Sequence, residues 1–406
     1  MRSGVPAFEL PLFSFLLRQA ALLLATGFLA VNAAAQAPVL SARSWLLLDA
    51  NSGATLASHE PARRLEPASL TKLMTAYVVF VALGEKRIAL GDRVTVSSAA
   101  FAAPGRDGAR MFIEPGGIVT VDELLRGIAV VSGNDAAVAL AEHTAGSQAA
   151  FVERMNAEAR RLRLTDTHFA NPSGLSDAQQ YSTARDLARL AQRLRADFPQ
   201  HMALFREREF TYNRIAQANR NRLLWSDPSV DGMKTGHLEA SGWSIVATAV
   251  RPRGSANQSY ERCLIAVVLG APSDSVRAQE ALRLLNYGFT EYETVRLFRS
   301  AQVVARPEVL KGDRSELPIG PERDVFVTVA AAELQRLGER ELRSSIERPD
   351  PLIAPLTKGE IVGRLKVRLA GQVVADTPIV ALESVQAAGL FGRAYDAVRL
   401  WWRRRN

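Results

Sequence analysis

Residues 66–80 read "EPASLTKLMTAYVVF". The run is apolar at helical spacing, yet its first turn holds Ser69 and, three residues on, Lys72. On a helix, residues i and i+3 share a face, ~5–6 Å apart at Cβ. A helix destined for a core has no packing use for a hydroxyl and an ammonium side by side. A serine hydroxyl becomes a competent nucleophile when a base takes its proton. Lys72 is that base if burial or a neighbouring cation lowers its pKa, and the helix N-terminus favours the negative charge that develops nearby. Read alone, Ser69 is equally well a helix N-cap, and at ordinary residue usage S-x-x-K arises by chance about once in 400 residues.

Lysine usage sharpens the reading. The chain has six lysines among its 50 basic residues. Where positive charge alone suffices, this sequence writes arginine, but an arginine cannot act as a base. Two further stretches carry chemistry-bearing residues. In "VVSGNDAAVAL", Gly133 interrupts a helical pattern, so Ser132 and Asn134 fall on a short turn between helices. In "DGMKTGH", Lys234, Thr235 and Gly236 lie on a strand that turns back at "EASG". Lysines at both 72 and 234 would be a coincidence of roughly one or two in a hundred, taking each basic position as an independent draw. Alone, Ser-Gly-Asn is a turn-and-cap signature. A strand glycine permits close backbone approach, and an exposed strand edge can pair with an extended substrate.

The bulk numbers bound the rest. The chain has 406 residues, 48% hydrophobic and 23% charged, which is globular composition long enough for two domains. Net charge is +8, and about half lies beyond Leu390, where five arginines (Arg393, Arg399, Arg403, Arg404, Arg405) face Asp396. A local excess of this kind points to an anionic surface at the C-terminus and argues against nucleic acid as a partner. The single cysteine, Cys263, lies in the strand-like "RCLIAVVLG" and reads as a buried, inert thiol. No histidine pair or Cys cluster has metal-ligand spacing, so neither metal nor cofactor is expected.

The first 37 residues read as a secretory leader, with Arg2 and Arg18, the apolar "ALLLATGFLAVNAAA", and A-x-A triplets ending at Ala35 or Ala37. An uncleaved anchor is the other reading. From 38 to 291 the pattern predicts an α+β unit. A hairpin at "SWLLLDANSGATLAS" is followed by helices at 69–83, 121–131, 135–145, 149–163 and 183–195, then strands and a closing helix at "SVRAQEALRLLNYGF". Residues 292–385 alternate in period two, as in "DVFVTVA" and "GRLKVRLAG", and form a small all-β domain. Residues 386–406 form an amphipathic helix. Phe391, Ala394, Tyr395, Val398 and Trp402 make its apolar stripe, suited to lying in a membrane interface or to packing on the domain.

The three motifs in this order resemble the S-x-x-K, S-D-N and K-T-G set of β-lactamases and penicillin-binding proteins. The Ser132-Gly133-Asn134 form is similar to the D-alanyl-D-alanine carboxypeptidases, the low-molecular-mass penicillin-binding proteins of serine peptidase family S11. So are "LEPASLTKLMTAYV", "NRNRLLWSDPSVDGMKTGH", "YGFTEYETV", the β-domain and the tail "LFGRAYDAVRLWW". The resemblance spans essentially the whole chain after the leader. It implies a β-lactamase/transpeptidase-like catalytic domain, antiparallel sheet with helical cluster. It also implies a periplasmic enzyme held at the outer face of the cytoplasmic membrane, with peptidoglycan stem peptides and β-lactam antibiotics as partners.

What it implies for residues is specific. Ser69 is the acylated nucleophile, Lys72 its base, and Ser132 a proton relay to the leaving group with Lys234 beside it. Asn134 binds substrate backbone, and Lys234, Thr235 and Gly236 serve the terminal carboxylate region. The N–H groups of Ser69 and His237 make the oxyanion hole. Arg220 and Arg277 match positions near the site, although Arg277 by itself reads equally as a solvated helix arginine. Between the second and third motifs, "NPSGLSDAQQYSTARDLARL" has no Glu-x-x-x-Asn of the class A β-lactamase kind, so slow release of bound penicillin is expected. A DD-endopeptidase acting on cross-links, and a catalytically idle envelope scaffold, are the competing functions.

Overall fold

The computed structural model describes residues 37–254 and 259–403; residues 1–36 of the leader and Arg404 and Arg405 lie outside them. The order is α+β. Strands β1 (Ser44–Asp49) and β2 (Thr55–His59) form the N-terminal hairpin, and β3 (Val230–Leu238), β4 (Gly242–Arg253) and β5 (Tyr260–Ala271) follow much later. Together they make a five-stranded sheet in the order β2-β1-β5-β4-β3, antiparallel throughout. β3 is therefore an edge strand, with one side of its backbone free of sheet partners.

Helices α1 (Lys72–Gly84), α2 (Val121–Arg126), α3 (Asn134–Ala145), α4 (Gln148–Arg161) and α5 (Ala184–Asp197) lie between the hairpin and β3, and α6 (Asp274–Glu291) follows β5. β1 is buried along its whole length and β5 nearly so, which requires cover on both faces. α5 and α6 both pack against these strands. α1 is apolar almost all round, and every residue from Lys72 to Phe80 is buried, so it forms the centre of the helical cluster and not a surface element.

Two predicted helices differ in detail. The helix expected over 69–83 begins as a tight 3-10 turn, Ala68–Thr71, and becomes α-helical only at Lys72. The helix expected over 121–131 is α-helical to Arg126, then widens into a π turn, Gly127–Val131. Such tightened and widened turns re-aim the residues that follow them. Both flank the motif serines.

After α6 the chain forms the β-rich part. Strands β6 (Tyr292–Phe298) and β8 (Val325–Ala330) pair together, while β7 (Ile319–Pro321), β9 (Leu342–Glu347), β10 (Ile361–Leu369) and β11 (Gln372–Ala381) form a sheet ordered β7-β11-β10-β9. In β10, Leu365, Val367 and Leu369 are buried and Arg364 is exposed, as the alternation requires. α7 (Leu390–Arg403) closes the described chain.

A buried ion pair joins the two parts. Arg262 and Asp49, both fully buried, meet at 3.1 Å. Arg262 also donates to the carbonyls of Tyr292 (2.6 Å) and Gly288 (3.0 Å), and the Thr294 hydroxyl donates to Asp49 Oδ2 (2.6 Å). The hairpin, β5, α6 and β6 are thus held at one point. Arg262→Ala leaves a buried carboxylate without its cation and is expected to cost about 3–5 kcal/mol of unfolding free energy, read by urea titration.

Candidate active site

The Ala68–Thr71 turn carries Ser69. In a 3-10 turn, residues i and i+3 eclipse, so Ser69 and Lys72 stand one above the other, with Lys72 Nζ 3.1 Å from Ser69 Oγ. Nζ also donates to Asn134 Oδ1 (2.7 Å) and to the Ser173 carbonyl (2.5 Å), which uses all three ammonium hydrogens. Lys72 is buried. Loss of hydration and the charge of Arg220 together outweigh Asp135 and lower its pKa to about 7. A neutral amine next to the serine is therefore accessible near neutral pH.

Ser132 follows the π turn with left-handed backbone (φ 65°). Its hydroxyl is buried and has no hydrogen-bond partner among the described residues. A buried, unsatisfied hydroxyl costs free energy unless something else satisfies it, and Ser132 lines the same cleft as Ser69. Lys234, on β3, is buried as well; desolvation and the charges of Lys72, Arg220 and Arg277 hold its pKa well below the usual lysine value.

β3 comes very close to Ser69. A Cβ on Gly236 would lie 3.0 Å from the Pro67 carbonyl and 3.2 Å from Ser69 N, so glycine lets the strand edge form one wall. Gly236 O accepts from Arg277 Nη1 at 3.0 Å. Arg277 is not a solvated helix arginine. It is buried, paired with Asp274 at 2.5 Å, and lies over the Trp243 ring (5.0 Å), on which the His237 ring also stacks (3.9 Å). Burial lowers its pKa to about 10.

All ten residues singled out from sequence converge. Ser69, Ser132, Asn134, Thr235, Gly236, His237, Arg220 and Arg277 line one cleft of about 340 Å³. Lys72 and Lys234 are buried, Lys72 in contact with Ser69 and Asn134, Lys234 beside Thr235 on β3.

Sequence reading missed several supports. Asp135 accepts from the N–H groups of Met111 (2.9 Å) and Phe112 (3.1 Å), and Asn134 N donates to the Ala109 carbonyl (2.8 Å), fastening the 104–113 loop to the start of α3. The "NPSGL" stretch, residues 171–175, supplies the Ser173 carbonyl. Its Asn171 side chain accepts from the N–H groups of Ser173, Gly174 and Leu175. Gly174 (φ +85°) abuts the Ala68–Thr71 turn: an added Cβ would lie 1.9 Å from the Ala68 carbonyl. The Asn-Pro-Ser-Gly composition was a legible turn signal, but nothing in it pointed to Lys72. Gly174→Ala must displace the Ser69 turn, and misplacement of about 1 Å costs on the order of 100-fold in rate. The rate of covalent labelling by benzylpenicillin should fall by that factor while the far-ultraviolet circular dichroism is retained.

Comparison with known proteins agrees with this geometry. The D-alanyl-D-alanine carboxypeptidase family model matches residues 31–273, and that of the penicillin-binding protein 5 C-terminal domain matches 292–387. The chain is 42% identical over 370 residues to D-alanyl-D-alanine carboxypeptidase DacC of Escherichia coli, covering 90% of this chain and 89% of that one. It is 39% identical over 361 residues to DacA of Haemophilus influenzae, covering 88% and 89%. Among solved structures, penicillin binding protein 5 from Haemophilus influenzae superposes with a TM-score of 0.77 at 37% identity, covering 86% of this chain and 99% of that one. The chain belongs to the D-alanyl-D-alanine carboxypeptidase family and is a serine-type, penicillin-binding DD-carboxypeptidase.

Proposed function

We propose that Ser69 carries the acyl-enzyme and that Lys72 is its general base. The observation behind this is the 3.1 Å contact between a buried, pKa-lowered amine and the serine hydroxyl. As Ser69 Oγ attacks the carbonyl of the penultimate D-alanine, Lys72 takes its proton, and the backbone N–H groups of Ser69 and His237 donate hydrogen bonds to the oxyanion. Collapse breaks the peptide bond. The departing amine of the terminal D-alanine gains a proton through Ser132, whose free hydroxyl suits the relay, with Lys234 beside it. Asn134 holds substrate backbone while Lys234, Thr235, Gly236, Arg220 and Arg277 serve the terminal carboxylate. Water then hydrolyses the ester. A β-lactam acylates Ser69 by the same attack and leaves slowly.

The division of labour follows the chain. Residues 38–291 carry the chemistry, 292–385 form the β-domain, and 386–406 contact the membrane. In α7, Phe391 is 94% exposed, and Tyr395, Val398 and Trp402 are exposed as well. The polar side faces the β-domain: Arg399 and Arg403 pair with Glu308 (2.7 Å each), and Asp396 accepts from Lys311 N. No helix of the described residues is long and apolar enough to cross a membrane. An aromatic stripe turned outward suits a helix lying in the interface at the periplasmic face of the cytoplasmic membrane.

A pH series tests the base. Lys72 must be neutral to accept a proton, so kcat/KM for D-alanine release should be flat above pH ~7 and fall about tenfold per unit below it. Lys72→Arg, which keeps charge but cannot deprotonate, should lose about 100- to 10,000-fold. A variant with the wild-type rate and profile would remove Lys72 from this role. For the tail, co-sedimentation with phosphatidylglycerol vesicles should weaken by at least about tenfold when Phe391 and Trp402 are changed to serine, since each buried aromatic contributes about 2 kcal/mol.

A further inference from the structure

The walls of the cleft differ in charge. The strand wall, built on β3, has Arg277 hydrogen-bonded to Gly236 O and suits a terminal carboxylate. The helical wall includes the 104–113 loop, and Asp107 on it lines the cleft. Asp107 is exposed and, among the described residues, has neither an ion pair nor a hydrogen-bond partner. Its neighbour Arg110 is already occupied, donating to the carbonyls of Gly105 (2.7 Å) and Arg106 (2.9 Å).

The loop that presents Asp107 is held firmly. Gly108 N donates to the Pro104 carbonyl (2.9 Å), Asn134 N to the Ala109 carbonyl (2.8 Å), and Met111 N to the Asp135 carboxylate (2.9 Å). A Cβ on Gly108 would reach Asn134 Nδ2 at 3.0 Å, which places the loop directly on the residue that binds substrate backbone. The backbone on either side of this carboxylate is therefore already fixed before any substrate arrives, which lowers the cost of presenting it. What sets this open carboxylate apart is its place, in the same cleft as Ser69 and Asn134.

We propose that Asp107 determines specificity by pairing with a primary ammonium group on the acyl arm of the substrate. The group in question is the side-chain amine of a diamino acid just before the D-Ala-D-Ala pair. This rests on the assignment of Ser69 and Asn134 above. A carboxylate in a partly enclosed cleft pairs with an ammonium more strongly than one on open surface. A stem whose amine is already amide-linked would lose the pairing, so the enzyme would trim free stems ahead of stems whose amine is acylated.

The test compares two pentapeptides ending in D-Ala-D-Ala on the purified full chain. One has lysine at the third position and the other ε-N-acetyl-lysine. Wild type should favour the free amine by about five- to tenfold in kcat/KM, mostly through KM, and the preference should shrink as salt is raised. In Asp107→Asn the ratio between the two peptides should drop to about one, whereas Glu239→Gln, which alters the other carboxylate of the cleft, should keep it. A wild-type ratio near one, or a ratio that survives Asp107→Asn, overturns the proposal. Acylation of Ser69 by benzylpenicillin, which has no amine, reads the underlying assignment separately. Its loss alongside an intact peptide preference would displace Ser69 and leave Asp107 in place.

Discussion

Everything at the active centre depends on keeping one ammonium group out of water. Lys72 is fixed by Ser69 from its own turn, by Asn134 at the start of α3 and by the Ser173 carbonyl from a loop a hundred residues away. Each of these contacts needs a different part of the chain to be folded. Burial is what lowers the lysine pKa, and burial is a collective property of the walls around it. The apolar helix α1 supplies the floor, and Lys72 opens a segment otherwise made of core residues.

The supports around this group follow from the same constraint. A buried amine near neutrality is sensitive to any charge placed close by. Arg220 lowers the Lys72 pKa and Asp135 raises it. Asp135 does not waste its charge, because backbone N–H groups of the 104–113 loop take up the carboxylate. Arg277 is similarly compensated by Asp274 and by carbonyls of β3 and β4. The site therefore concentrates positively charged groups around one cleft, while most of them already have partners. The Ser132 hydroxyl, buried in the same cleft, has no partner among the described residues.

The β-domain meets the catalytic part through polar contacts as much as apolar ones. Asp49, Arg262, Thr294 and Thr328 form one chain of contacts, with Thr294 and Thr328 hydroxyls 3.0 Å apart. Such a junction requires geometry to be satisfied all at once, which favours one relative arrangement over many. At the far end, the Glu308 pairs orient α7 so that its aromatic residues face away from the β-domain's acidic anchor.

Much of this was legible before any coordinates. Period-two alternation in "GRLKVRLAG" dictated a half-wet strand, and the apolar run after Lys72 dictated a buried helix, because side-chain period is a local property of backbone geometry. The order Ser69–Lys72, Ser132–Asn134, Lys234–Gly236 and the choice of lysine over arginine determined the chemistry, since residue type limits which groups can lose a proton. Other features had no local signal. By its own pattern Arg277 read equally as a helix arginine, and only the family resemblance set it near the site; Asp135 read as a residue beside a motif. Only enclosure by β3, Trp243 and Asp274 made the first a wall of the cleft, and only the arrival of the 104–113 loop made the second a fastener. The sequence alone determined which groups could react. The tertiary structure decided which would, because desolvation and proximity arise from residues distant in the chain.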